Sequence, residues 1–468
     1  MMIRRFLAGT AMAAMLAAGA AAADLTAEEI QAREMFRTLV SFKTAEGHGE
    51  VPKMAAYLAK EFKIAGFADA DIEIIPTGET AGMVVRYRGD RSSEAKPILF
   101  LAHMDVVDAL PGDWDFDPWT LTEKDGRFYG RGTVDNKYGV LTLAQAFIGL
   151  KKEGFQPTRD LIIVFTGDEE TGMATTRMLA EKFKDAEYAL NGDAGGGFTP
   201  MGEDKATAYY IQAAEKIYAT FEVTAKNDGG HSSAPRPDNA IYDLASALKK
   251  IEAHSFPVMW NDVTLKEMAA SSEVETGEVA AALKAFVKKP GDKKAAKTLL
   301  GVDYLTNGLR TTCVATMLKA GHAENALPQT ATATVNCRIF PGVSVDDVKA
   351  ELARVVENPA LEFATLGDPV ESPASIPTPE LEAAVLVAAR AQAPVAQVIS
   401  YMEAGGTDGM HFRRAGVPTF GVGPMFTTDD DVTGIHGKNE SMATDVFYNG
   451  LKHWPALIRE LAGRPEAE

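Results

Sequence analysis

Cysteine is nearly absent: Cys313 and Cys337 are the only two in 468 residues. Two are too few for a disulfide scaffold or a cysteine-built zinc site. Long apolar runs are also missing, and beyond residue 23 no stretch approaches the ~20 residues that span a bilayer. Positive charge is in deficit, with 47 Lys and Arg against 65 Asp and Glu and a formal net charge of −18. Such a chain is repelled by phosphate backbones and anionic lipid, which argues against nucleic acid or a membrane surface as partner. What remains is a soluble globular composition, 46% hydrophobic and 24% charged, in a chain long enough for more than one core.

The first residues carry Arg4 and Arg5, then an apolar run of small residues, then Ala21-Ala22-Ala23 before Asp24. This is the order of a secretory signal peptide with an A-x-A cleavage site. Residues 1–23 are therefore expected to be removed, leaving a periplasmic or secreted protein with no membrane attachment. The two cysteines stand in strand-like runs on either side of a loop near Asn325, and counting outward from that loop places them opposite each other. In an oxidising compartment this favours a disulfide over two buried thiols.

From Asp24 to Lys205 amphipathic helical stretches give way to short β-branched runs alternating with further helical segments. That alternation predicts an α/β domain, a mostly parallel sheet with helices on both faces. Residues 206–370 change character, to a strand-helix-strand-strand-helix order expected of a smaller α+β lid with a one-sided antiparallel sheet. The Lys-, Glu- and Ala-rich stretch between His254 and Asn307 reads as extra helices on that lid. Residues 371–468 return to the first pattern, so the catalytic domain is expected to be interrupted by the lid.

Chemistry-bearing residues gather at predicted strand ends. His103 closes PILFLAH, and Asp105, two residues on, shares its side of an extended chain and suits a carboxylate that orients a ligating imidazole. Alone, such a pair is structural more often than metallic. Asp135 follows the glycines of GRGTVDN and precedes a helix, where an isolated Asp would be a cap. In FTGDEETG the acids Asp168, Glu169 and Glu170 repel one another unless something positive sits among them. A metal resolves this, with one glutamate as ligand and its neighbour free as a base. Asp193 ends YALNGD, and His436 lies between glycines in GIHGKNE. Two histidines and three carboxylates exceed the needs of one tetrahedral zinc and suit two ions sharing a carboxylate.

These motifs resemble, in order and over nearly the whole mature chain, the co-catalytic zinc family (metallopeptidase family twenty) of acetylornithine deacetylase, succinyl-diaminopimelate desuccinylase, glutamate carboxypeptidase, carboxypeptidase S and the aminoacylases. The resemblance implies that His103, Asp135 and Asp193 hold one Zn2+ and that Asp135, Glu170 and His436 hold a second, with Co2+ or Mn2+ as substitutes. It implies Glu169 as general base, Asp105 as the residue orienting His103, and His231 of GGHSSAP as a lid residue that stabilises the oxyanion, supplied by the neighbouring subunit in dimeric members. Asn325 and Arg338 become candidates for the substrate carboxylate, and Gly405, Gly406 and Thr407 for further substrate contacts. The remaining histidines, His48, His254, His322, His411 and His453, read as surface or packing residues.

The length, with its inserted helices, is similar to the carboxypeptidase S and N-acyl amino acid hydrolase branch. The expected activity is release of a C-terminal amino acid from short peptides or N-acyl amino acids, with a dipeptidase or N-deacylase of narrow substrate range as the alternative and a non-catalytic periplasmic peptide- or metal-binding protein as a distant one. A monomer and a lid-mediated homodimer both remain open, according to whether the extra helices cover the lid's edge strand.

Overall fold

Runs that are apolar at every position must be buried on both faces, and the strands Ile98–His103 and Leu161–Thr166 are buried throughout. In the first, Ile98, Phe100 and Ala102 enter one core layer while Leu99 and Leu101 enter the other. The computed structural model describes residues 25–199, 208–428 and 430–464. The expected signal segment, residues 1–23, lies outside them.

The central sheet has ten strands. Their order is Ile72–Thr77, Thr80–Tyr87, Leu161–Thr166, Ile98–His103, Tyr188–Asn191, Thr419–Gly421, Ala208–Glu215, Gly196–Phe198 and Phe426–Thr427, with Gln397–Glu403 also pairing Ala208–Glu215. The four strands from Leu161–Thr166 to Thr419–Gly421 run parallel. Helices Ala27–Ser41, Val51–Ile64, Lys137–Lys152, Pro379–Arg390 and His453–Ala462 fill one face, and Ala174–Lys182 and Gly409–Arg414 the other. The α/β class with helices on both faces is thus observed. No helix among the described residues is long and apolar enough to cross a membrane.

A second, antiparallel sheet is ordered Thr312–Ala320, Thr330–Ile339, Ile217–Lys226, Glu362–Leu366. Along Ile217–Lys226 burial alternates, with Ile217, Ala219, Phe221, Val223 and Ala225 turned to a core shared with helices Ala240–Ala253 and Val345–Val356. Register places Cys313 opposite Cys337, and the two are disulfide-bonded.

Two boundaries differ from the sequence reading. The strand Ala208–Glu215 is hydrogen-bonded into the central sheet, so the lid begins at Ile217, with Lys216 as the single residue between two strands. The helices Asp262–Val274, Gly277–Lys288, Lys293–Leu299 and Asp303–Leu309 have a core of their own, and the first packs on Gln397–Glu403 of the catalytic sheet. They therefore leave the lid's edge strand Thr312–Ala320 uncovered, with Val314, Met317 and Leu318 more than half exposed.

Candidate metal centre

Parallel strands that end on one edge bring together whatever follows them. His103 is the last residue of its strand, Asp168-Glu169-Glu170 follow Thr166, and Asp193 follows Asn191. Asp135 and His436 arrive on loops.

The arrangement has two halves. His103 Nε2 lies 2.9 Å from Asp135 Oδ1 and 3.5 Å from Asp193 Oδ1. His436 Nε2 lies 3.1 Å from Asp135 Oδ2 and 3.0 Å from Glu170 Oε1. The two oxygens of Asp135 therefore face two different histidines. His103 is buried whereas His436 is about half exposed, so the cluster is closed below and open on one side. His103, Asp135 and Glu170 each offer a donor atom within 4.8 Å of the others. Imidazole nitrogen and carboxylate oxygen are the donors a divalent zinc-type ion takes.

The electrostatics have the same cause throughout. Burial raises the Asp135 carboxyl, but its contacts with His103 and His436 outweigh that and hold it low. Burial raises Asp193, and burial with repulsion from Asp135 pushes Glu170 up to about 7. Hydrogen bonding to Asp135 lifts His436 to about 9. Carboxylates packed this closely are stabilised by positive charge among them, and the residues present fit a bound divalent metal.

Glu169, adjacent to Glu170, is 9% exposed and its carboxyl is raised well above the ordinary range by burial. Its backbone position is fixed by Asp105, whose Oδ1 and Oδ2 accept the N–H groups of Glu169 and Glu170 at 3.1 and 3.0 Å. This changes the part expected of Asp105. Its carboxylate is 3.6 Å from His103 Nδ1, and the close contact to that nitrogen, 3.0 Å, comes from its main-chain carbonyl. The carboxylate is occupied by the glutamate loop instead. Asp168, first of the three acids, accepts the N–H groups of Ala174 and Thr175 and caps the helix Ala174–Lys182.

Several residues that hold the cluster carried no distinctive mark in the sequence. Glu440, four residues after His436, is fully buried and accepts the N–H groups of Gly132, Val134 and Asp135 and the guanidinium of Arg131. The loop bearing the shared carboxylate is wrapped around it. Gly132 adopts φ +84, and a Cβ there would collide with Lys137 and Val106, so the wrap needs glycine. Asn136 donates to Asp193. Asp408 accepts from Thr166 and Thr176, and burial pushes its carboxyl up to about 7.

The expected substrate contacts fall into three groups. Arg338 crosses from the lid to donate to the Ala404 carbonyl at 3.1 Å, beside Gly405 and Gly406. Nearby, Lys216 is buried, donates to the Arg310 carbonyl, and has its ammonium pulled down to about 8 by burial and by Arg338. His231 and Asn325 lie together and exposed on the lid: His231 pairs with Ala326, and Ser232 N–H donates to the Asn325 carbonyl. Among the described residues no hydrogen bond or ion pair joins them to the metal cluster. Thr407 departs from expectation. It is buried, its hydroxyl donates to Glu215 at 2.5 Å and accepts from Asn191 and from the Gly409 N–H, which leaves that hydroxyl nothing to offer a substrate.

The fold and cluster have counterparts. Residues 99–460 match the family model described as peptidase family M20/M25/M40. The chain belongs to this family. It is a metallopeptidase or amidohydrolase, and family members are metal-dependent hydrolases of peptides and N-acyl amino acids. Among curated relatives, an N-fatty-acyl-amino acid synthase/hydrolase of Xenopus tropicalis is 29% identical over 378 residues, 78% of this chain and 72% of the relative. A probable carboxypeptidase S-like protein of Dictyostelium discoideum is 27% identical over 76% of this chain and 72% of its own length. Among solved structures, the M20 family metallo-carboxypeptidase Sso-CP2 of Sulfolobus solfataricus superposes with a TM-score of 0.66 at 18% identity, covering 93% of this chain and 99% of that one. Human carnosine dipeptidase 1 gives 0.61 at 18%, covering 93% and 97%. At that identity the likeness speaks for the fold.

Proposed function

We propose that this M20 family hydrolase is an exported enzyme that holds two zinc ions and releases a C-terminal amino acid from short peptides or N-acyl amino acids. The observation that carries the reading is Asp135, with one oxygen at His103 and the other at His436. His103, Asp135 and Asp193 would hold one ion, and Asp135, Glu170 and His436 the other. Bound zinc supplies Lewis acidity, polarising the scissile carbonyl and lowering the pKa of the attacking water.

The chain's own groups do the rest. Glu169, buried and fixed through Asp105, takes the proton of the attacking water and returns it to the leaving amine nitrogen. His231, from this lid or that of a second copy, donates to the oxyanion. Arg338 binds the substrate carboxylate, for which its planar fork is suited, and Lys216 adds a second positive charge beside it. The signal-like residues 1–23 and the disulfide support export, and export suits scavenging of peptides.

The reading is tested by metal analysis and a substrate panel. Purified protein is expected to carry about two zinc ions per chain, and a chelator is expected to abolish amino acid release from dipeptides and N-acyl amino acids. Metal-free protein with unchanged release would refute the metal mechanism.

A further inference from the structure

Lys216 joins the central-sheet strand Ala208–Glu215 to the lid strand Ile217–Lys226. It is 3% exposed, yet its ammonium donates only to a main-chain carbonyl, that of Arg310. Among the described residues no carboxylate pairs with it. Arg338, half-buried beside it, donates to the Ala404 carbonyl and lies over the Tyr218 ring, with no acid paired to it. A buried cation without a counter-ion is costly. The buried Lys216, with a second unpaired cation next to it in a chain of net charge −18, points to an anionic group supplied from outside.

Lys216 and Ala404 also line an open-sided cavity of about 360 Å³, bordered by the helix Asp262–Val274 and the strand Gln397–Glu403. Met268, Leu305 and Met402 give it apolar walls, and Glu267 and Glu403 give it carboxylates. Glu267 accepts a single N–H, from Met402 at 3.4 Å, and meets no cation among the described residues. Burial and repulsion from Glu403 push it up to about 7. Lys216 and Glu267 share this cavity without forming an ion pair.

We infer that this cavity is the side-chain subsite for the released amino acid and that it selects a long basic side chain. The α-carboxylate meets Arg338 and Lys216, the aliphatic stem lies along Met268, Leu305 and Met402, and the cationic end reaches Glu267 and Glu403. Glu403 already accepts the N–H groups of Ala404 and Gly405 and the Tyr401 hydroxyl, so the group such a ligand chiefly satisfies at that end is Glu267. A short or acidic side chain leaves Glu267 unmatched. The inference rests on the carboxypeptidase reading and narrows it to substrates ending in lysine or arginine.

The test compares N-acyl dipeptides ending in lysine, norleucine and glutamate, with calorimetric binding of free lysine and norleucine to the same full-length protein. The lysine substrate is expected to exceed norleucine in kcat/KM by about tenfold or more, the worth of one charged hydrogen bond. Glu267→Gln is expected to erase that margin, and Glu267→Lys to shift preference to glutamate. Thermal melts check that both variants fold. If wild type shows no preference for lysine, or Glu267→Gln leaves the preference intact, the subsite is wrong. If no substrate is cleaved, the carboxypeptidase reading fails, and calorimetry decides the subsite alone: free lysine binding lost in Glu267→Gln supports it, and equal binding of lysine and norleucine overturns it.

Discussion

The Glu440 carboxylate accepts the main-chain N–H of Asp135 at 3.0 Å. Because Glu440 shares a loop with His436, the residue between the two halves of the cluster is held by the segment that carries one of its histidines. Glu440→Gln removes the charge paired with Arg131 and turns one accepting oxygen into an amide N–H, which then faces either the N–H groups of Val134 and Asp135 or those of Gly132 and the Arg131 guanidinium. Removing one partner of a buried ion pair costs about 3–5 kcal/mol, and disturbing a ligand's support typically costs ~10–100-fold in metal affinity. Urea titration and competition with a calibrated chelator should show both losses.

Thr407 separates structure from substrate binding. Thr407→Val withdraws the donor from Glu215 and the acceptor from Asn191, while Thr407→Ser keeps both. The expected stability loss is about 1–3 kcal/mol for the valine variant and little for the serine variant, with KM unchanged in both. A raised KM in the stable serine variant would restore Thr407 as a substrate contact.

The acid limit of the fold is set in part by His453, which is fully buried, stacked on Tyr209, and lowered by burial from 6.5 to about 3. Between those values the unfolded chain binds the proton and the folded chain does not. Stability is therefore intact above pH 6.5 and is lost as pH falls toward 3. His453→Phe keeps a stacked ring without the titrating nitrogens, so its melting temperature should fall less steeply over that range. Parallel pH profiles for the two proteins would rule out the assignment.

Much of the fold was legible because burial imposes composition. The uniformly apolar runs ending at His103 and Thr166 could only be inner strands, and the acids and histidines placed after such runs met on one sheet edge. The lid boundary was not legible, since Lys216 alone separates Ala208–Glu215 from Ile217–Lys226 and no turn residue marks the change of sheet. The helices between Asp262 and Leu309 were visible, but their pattern gives no sign of which sheet they cover. Asp105 stands two residues past His103, beyond the end of the strand Ile98–His103. Which of its oxygens meets His103 depends on the Glu169–Glu170 loop, which is 64 residues away in sequence. Thr407 was read through its motif and Glu440 not at all, and only packing shows that one is saturated and the other central. Asp168, Glu169 and Glu170 are alike in composition, and the strand end gives each a different direction.

That last distinction is the centre of the account, and Glu169→Gln tests it most directly. The variant should bind metal with wild-type stoichiometry in elemental analysis, while kcat for amide hydrolysis falls by about 10²–10⁴, the usual worth of a positioned general base. Glu170→Gln, by contrast, should lose metal. Near-normal turnover in Glu169→Gln, or loss of metal from that variant alone, would contradict the assignment of Glu169 as base and Glu170 as ligand.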